Sequence, residues 1–385
     1  MASKAIWLLT LAILLAGCSQ QPADSSGQNQ RLSLSQAMSG SPDPGFARAY
    51  QPREFVFPQD HLAHDEFATE WWYFTGNLQT PTQRRFGYQL TIFRTAIEPV
   101  SNIQDTLATD NSGWQSNQIY MGHIAISDMQ HQRHISHELF SRDSHAMAGT
   151  ALNPLRIWLG PLTIEGSDNQ LLPLTIKAQS GAIAIDLQLT KGTKPLVLQG
   201  DNGLSQKGAE PGNASYYYSY TRLPTQGTLR INQQHYRVSG NSWFDREWSS
   251  SALAEDQAGW DWFALQLDDG RDLMFYQMRG VDGKAQPFSK GILIDQQGAI
   301  TKLTLDNTEL SGQRFWQSAE QHAYPLSWQL KNPALGLDLL IEAAFDEQLM
   351  QHTLEYWEGA VTVTGSHQGV GYMELSGYSQ PLISQ

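Results

Sequence analysis

The chain has 385 residues, enough for two domains with separate cores. Its formal net charge of −13 excludes a nucleic-acid binder, which needs basic patches against phosphate, and disfavours an electrostatic grip on anionic lipid. A single cysteine, Cys18, excludes a disulfide within one chain and the paired-cysteine zinc sites.

At the N-terminus Lys4 precedes a short apolar run, Ile6 to Leu15, closed by "LAGC" at Leu15–Cys18. The run is too short to span a bilayer as a mature helix and ends in small residues, so residues 1–17 read as a signal peptide. "LAGC" resembles the bacterial lipobox, which implies acylation of Cys18 and a membrane tether. Ser19 follows, and the resemblance then favours the periplasmic face of the outer membrane. Residues 18–50 are rich in Ser, Gln, Gly and Pro and read as a flexible linker.

Beyond the linker the chain alternates in strand-like fashion. "TEWWYFTGNL" (Thr69–Leu78), "FGYQLTIFR" (Phe86–Arg94), "IAIDLQL" (Ile183–Leu189), "DWFALQL" (Asp261–Leu267) and "AVTVTG" (Ala360–Gly365) are bounded by turn residues. The best helical candidate is short, "HQRHISHELFS" at His131–Ser141. A repeat follows: "LTIKAQSGAIAIDLQL" from Leu174 aligns without a gap on "LSWQLKNPALGLDLLI" from Leu326. Trp72 and Tyr88–Gln89 match Trp262 and Tyr276–Gln277, and "VSG" ending at Gly240 matches "LSG" ending at Gly377. The expectation is an all-β chain of two tandem antiparallel barrels or sandwiches, at 51–250 and 251–385. The first carries a longer insertion around residues 100–120. Barrels of this size can hold one small apolar ligand inside.

The densest chemical motif is "NSWFDREW" at Asn241–Trp248. As a strand it puts Trp243, Asp245 and Glu247 on one face and Phe244, Arg246 and Trp248 on the other. Carboxylates at i and i+2 stand about 6–7 Å apart, the spacing of an acid/base pair, and tryptophan walls would raise one pKa by desolvation. A buried salt-bridge cluster reads from the same residues. Carboxylates beside aromatic rings recur at Glu70, Asp245/Glu247, Asp261 and Glu358, as a repeated strand-end anchor would produce, with Glu70, Arg246 and Glu358 in ion pairs. Trp71 and Tyr73 share the strand face opposite Trp72, so they can line a site while Trp72 packs core. Trp71, Tyr73, Trp243, Trp248, Trp262, Tyr276 and Trp357 are the expected ligand-lining rings. His61, His64, Asp65 and Glu66, and His131, His134 and His137, lack metal-site spacing and read as solvated surface histidines. There is no P-loop, no G-x-S-x-G and no G-x-G-x-x-G opening a helix, so neither metal nor cofactor is expected.

"FPQDHLAHDEFATEWWYFTGNL" (Phe57–Leu78), "RRFGYQLTIFR" (Arg84–Arg94), "NSWFDREW", "YWEGAVTVTG" and "GVGYMELSGY" resemble the AttH-like family, which is related to carotenoid 1,2-hydratases. The resemblance implies two lipocalin-like domains and an association with ABC-transporter permeases. It also implies cofactor-free hydration, with Asp245 or Asp261 as proton donor and Trp243, Trp262 and Tyr276 stabilising cationic character. The leading expectation is a lipid-anchored periplasmic module binding a hydrophobic small molecule, linked to an ABC transporter. The rivals are a hydratase or hydrolase using Asp245 and Glu247, and a structural transporter accessory. An enclosed apolar space with a high-pKa carboxylate discriminates in favour of the enzyme.

Overall fold

The computed structural model describes residues 32–33, 44–102, 116–251 and 253–379. The signal segment, Cys18, most of the linker and the centre of the insertion lie outside them.

Eleven main strands build the first sheet: β1 Thr69–Gln79, β2 Arg85–Ala96, β3 Gln118–Asp128, β4 Arg133–Arg142, β5 Ala148–Leu152, β6 Leu155–Leu159, β7 Leu162–Ser167, β8 Gln170–Ser180, β9 Ile183–Leu189, β10 Ala214–Ile231 and β11 Gln234–Ser249. Their order is β4-β3-β2-β1-β11-β10-β9-β8-β7-β6-β5. Nine build the second: β12 Gln257–Leu267, β13 Asp272–Gly280, β14 Lys290–Ile294, β15 Ile300–Thr304, β16 Glu309–Gln317, β17 Ala323–Asn332, β18 Leu337–Ala343, β19 Leu354–Gly365 and β20 Gly369–Leu375. Here the order is β15-β14-β13-β12-β20-β19-β18-β17-β16. All these pairings are antiparallel, and the two orders correspond from β1/β12 outward to β4/β15 on one side and β7/β16 on the other, with β6 and β5 added in the first sheet. The chain passes between sheets from Ser249 to Gln257. The Leu174–Leu189 repeat is the β8–β9 hairpin, and its copy is β17–β18.

Each sheet curls around its own core. In the first, Trp72, Phe74 and Leu78 of β1 meet Phe244 and Trp248 of β11 and the Ile/Leu rows of β2, β3 and β6–β9. Its two ends meet face to face where β3 crosses β6, and a Cβ at Gly122 would stand 2.7 Å from a methyl of Leu159. In the second, Phe263, Leu265, Trp328, Leu339, Trp357 and Met373 do the same. A third cluster lies between the sheets, built from their outer faces: Tyr73, Tyr217, Trp243, Trp262, Tyr276, Met278, Ala360 and Tyr372. Gly87 is required here, because a Cβ would overlap the Tyr372 hydroxyl.

Three expectations need correction. His131–Ser141 is not helical: its core is strand β4, hydrogen-bonded along β3. Period two decides, since Ile135 and Leu139 turn to the first core while Ser136 and Glu138 turn to the second sheet at His352 and Thr353. The Trp72–Trp262 match is out of register by one residue. Trp72 points into its barrel, whereas Trp262 points out of the second one, where Phe263 takes the inward place. His61 and His64 are buried rather than solvated: His61 Nδ1 lies 2.5 Å from the Tyr218 hydroxyl, and His64 stacks on Trp248 at 3.9 Å.

Candidate functional site

The described pocket of chemical interest lies between the sheets, not inside either barrel. It holds about 880 Å³ of atom-free space, mouth included. Trp71 and Tyr73 of β1 and Phe93 of β2 form one wall, and Trp260, Trp262, Tyr276 and Met278 of β12 and β13 form the other. Ser215 and Tyr217 of β10, Asp245 and Glu247 of β11, Glu374 of β20 and Lys207 bring the polar atoms. The alternation of β1 and β11 dictates this, because the residues between these inward-facing rings must face the other sheet.

Asp245 is 3 % exposed and is held by three donors. Its Oδ1 accepts from Trp243 Nε1 at 2.7 Å and Ser219 Oγ at 2.5 Å, and its Oδ2 from the Tyr217 hydroxyl at 2.8 Å. A carboxyl group offers about four lone-pair positions, so one is left for a proton. Burial pushes this carboxyl up to about 7 against the pull of those donors, and the neighbouring Glu247 charge adds to the rise. Glu374 accepts from Trp260 Nε1 at 2.7 Å. It too is pushed up to about 7, by burial and by the charges of Glu247 and Asp245. Glu247 differs: Lys207 Nζ is 3.0 Å away and Ser215 Oγ donates to the same oxygen. Burial disfavours the Lys207 ammonium, but Glu247 outweighs it and holds its pKa above the ordinary value. The same ammonium sits 4.3 Å from the centre of the Tyr276 ring. Tyr276 OH in turn is 3.0 Å from Ser205 Oγ.

The pocket therefore gathers Trp71, Tyr73, Asp245, Glu247, Trp262 and Tyr276. Trp243 packs directly behind, reaching the site through its bond to Asp245. Trp248 and Trp357 do not line it; each fills a barrel core, and the Trp357 indole nitrogen donates to the Asp346 carbonyl at 2.7 Å. Asp261 also faces inward. Arg279 Nη1 holds it at 2.6 Å and the Tyr378 hydroxyl at 2.7 Å, so it serves as an anchor, not a donor facing the pocket. Glu70 is the matching anchor of the first barrel, bound by Arg94 and Arg246 and by the His64 amide at 3.0 Å. Burial would raise the Glu70 carboxyl, yet the two guanidinium groups drive it well below the usual range. Glu358 is no ion pair: both oxygens lack a hydrogen-bond partner among the described residues.

Sequence reasoning did not select Lys207, Ser215, Tyr217 or Phe93. "SYYYSY" at Ser215–Tyr220 carries a period-two signal that could have found Tyr217, whereas Lys207 sits in a connection with no periodicity. As for metal ligands, Glu320, His322 and Glu355 bring donor atoms within 4.8 Å of one another, and none of the three lines the pocket. Glu355 there is already engaged by His322 and the Tyr324 hydroxyl, both at 3.2 Å.

Residues 48–378 match the model of the AttH-like family. The crystal structure of an AttH from Nitrosomonas europaea is 32 % identical, with 86 % of this chain and 100 % of that one covered and a TM-score of 0.74. Kievitone hydratase from Nectria haematococca shares the fold at 15 % identity, covering 87 % and 98 % of the two chains with a TM-score of 0.62. No curated protein matches the sequence.

Proposed function

The chain belongs to the AttH-like family, and from that premise we propose that its inter-sheet pocket hydrates an alkene on an apolar, isoprenoid-like substrate by acid catalysis. One observation carries the reading: Asp245 is buried among aromatic rings with three donors on its carboxyl and one lone-pair position open, and burial pushes it up to about 7, so a large share of the molecules hold its proton at neutral pH. The related fold of a kievitone hydratase is compatible with it.

In this reading the π electrons of the alkene take the Asp245 proton, forming a C–H bond and leaving a cation on the more substituted carbon. Ring faces of Trp262 and Trp71 stabilise that cation, the Tyr276 ring being already engaged by the Lys207 ammonium. A water oxygen then forms the C–O bond, and the proton it loses goes to Glu374, a carboxylate whose raised pKa makes it a better base than an ordinary one. Glu247, paired with Lys207, keeps that end of the pocket polar.

The test is incubation of residues 19–385 with a panel of isoprenoid and unsaturated fatty-acid alkenes, followed by mass spectrometry. A product heavier by one water from the wild type, absent with Asp245→Asn while ligand still quenches tryptophan fluorescence, supports hydration. Binding across the panel without any hydrated product contradicts it and favours carriage. Carriage is the second reading, favoured by the apolar walls of the pocket. There the Cys18 anchor would keep the protein in the envelope and a transporter permease would receive the ligand.

A further inference from the structure

Beside the pocket wall, the facing sheets enclose a carboxyl group that the hydration chemistry does not use. Glu358 on β19 is the register partner of Glu374 on β20, so the two carboxyls share a face with Cβ atoms about 4.5–5.5 Å apart. Glu358 is 1 % exposed and its two oxygens are unpartnered among the described residues. The groups facing it are Glu374, the hydroxyls of Tyr73 on β1 and Tyr356 on its own strand, and Tyr372 on β20.

From Tyr356 a chain of contacts runs outward. The Tyr356 hydroxyl lies 2.6 Å from His123 Nδ1 on β3. His123 Nε2 lies 3.0 Å from Glu138 Oε1 on β4. Glu138 accepts from the Thr353 amide at 3.1 Å and the Thr353 hydroxyl at 2.8 Å, and its side chain is 15 % exposed. The His352 ring flanks His123 at 5.6 Å.

We propose that Glu358, Tyr356, His123 and Glu138 form a proton path connecting Glu374 at the pocket with solvent, separate from the pocket mouth. The donor order is consistent from Tyr356 outward, and the step from Glu358 is closed by rotation of its side chain, since its oxygens face Tyr356 and Glu374 without a hydrogen bond in place among the described residues. Neutral His123 donates Nε2–H to Glu138 and accepts at Nδ1 from Tyr356, whose oxygen is then free to accept from a protonated Glu358. Burial supports both protonation states, pushing the Glu358 carboxyl well above and the His123 imidazole below their ordinary values. For outward transfer, Glu358 gives its proton to the Tyr356 oxygen as the Tyr356 proton passes to His123 Nδ1 and the Nε2 proton to Glu138. Glu358, now a carboxylate, takes the proton from Glu374, and inward transfer is the reverse. The path's use in turnover rests on the hydration reading, since it would clear the proton Glu374 gains from water; its existence does not.

The experiment is infrared hydrogen–deuterium exchange on residues 19–385, in buffer alkaline enough to ionise Asp245 and Glu374. The wild type should show one protonated-carboxyl band that shifts in heavy water and is absent from Glu358→Gln. Tyr356→Phe should keep the band and slow its shift roughly tenfold, equivalent to about 1.4 kcal/mol of barrier. No such band in the wild type, or an unchanged exchange rate in Tyr356→Phe, overturns the path. Asp245→Asn should leave band and rate unchanged, so failure of the hydration reading and failure of the path give different results.

Discussion

Glu70→Gln isolates what the buried charge network contributes, because the replacement has nearly the same shape and removes only charge. Glu70 is fully buried with Arg94 and Arg246, each also without exposure. Arg246 stacks 4.0 Å from the Trp72 ring, and its Nη2 donates to the Leu62 carbonyl at 2.6 Å. Glutamine leaves both guanidinium groups buried without the carboxylate they directly contact. Breaking a buried pair by removing one partner costs about 3–5 kcal/mol, and two orphaned cations place this case at the upper end. Against a total stability of about 5–15 kcal/mol, urea melts should show the loss as a clearly lower midpoint with unchanged slope. Because the folded Glu70 carboxyl is depressed, its contribution is fully present above the unfolded carboxylate value of about 4.3 and fades as pH falls through the lower folded value. The gap between wild type and variant should therefore narrow in acid. A midpoint within about 1 kcal/mol of wild type near neutral pH would refute the reasoning.

The turnover rate should peak near pH 7, falling in base as Asp245 loses its proton and in acid as Glu374 gains one, and Asp245→Asn should lower the peak rate by roughly 10²–10⁴-fold. Trp357→Ala should destabilise by about 3–5 kcal/mol, as deletion of a buried ring does, without changing the ligand profile seen by mass spectrometry. Trp71→Ala, at a half-buried pocket position, should do the reverse, weakening ligand binding in fluorescence titrations with a smaller effect on the melt. On the lipobox reading, Cys18→Ser should abolish acyl-chain incorporation, and equal incorporation in the variant would contradict that reading.

The sequence made strand faces legible wherever polar and apolar residues alternate with a fixed period. Trp71 and Tyr73 against Trp72, and Asp245 and Glu247 against Arg246 and Trp248, separate as period two requires. What it did not reveal is which face turns inward. Both faces of β1, β11 and β12 carry large rings, because one packs a barrel and the other packs against the second sheet. Burial on both sides erases the hydrophobic contrast that fixes register, which is why the sequence aligns Trp262 with Trp72 and points to a cavity inside a barrel. The carboxylates were likewise indistinguishable in one dimension. Glu70 and Asp261 are anchors because arginines on the neighbouring strand reach them, while Asp245, Glu374 and Glu358 keep raised pKa values because burial outweighs what their neighbours offer.

The central claim is that a carboxylic acid in an apolar pocket holds its proton in a large share of the molecules at neutral pH. Its most direct test is a carbon NMR titration of aspartate side-chain carboxyls, with Asp245 assigned by comparison with Asp245→Asn. The account predicts a midpoint at about 7 for Asp245, lowered in Glu247→Gln by removal of the neighbouring charge. An Asp245 titrating near the ordinary 3.8 would leave no proton to give and would contradict the account.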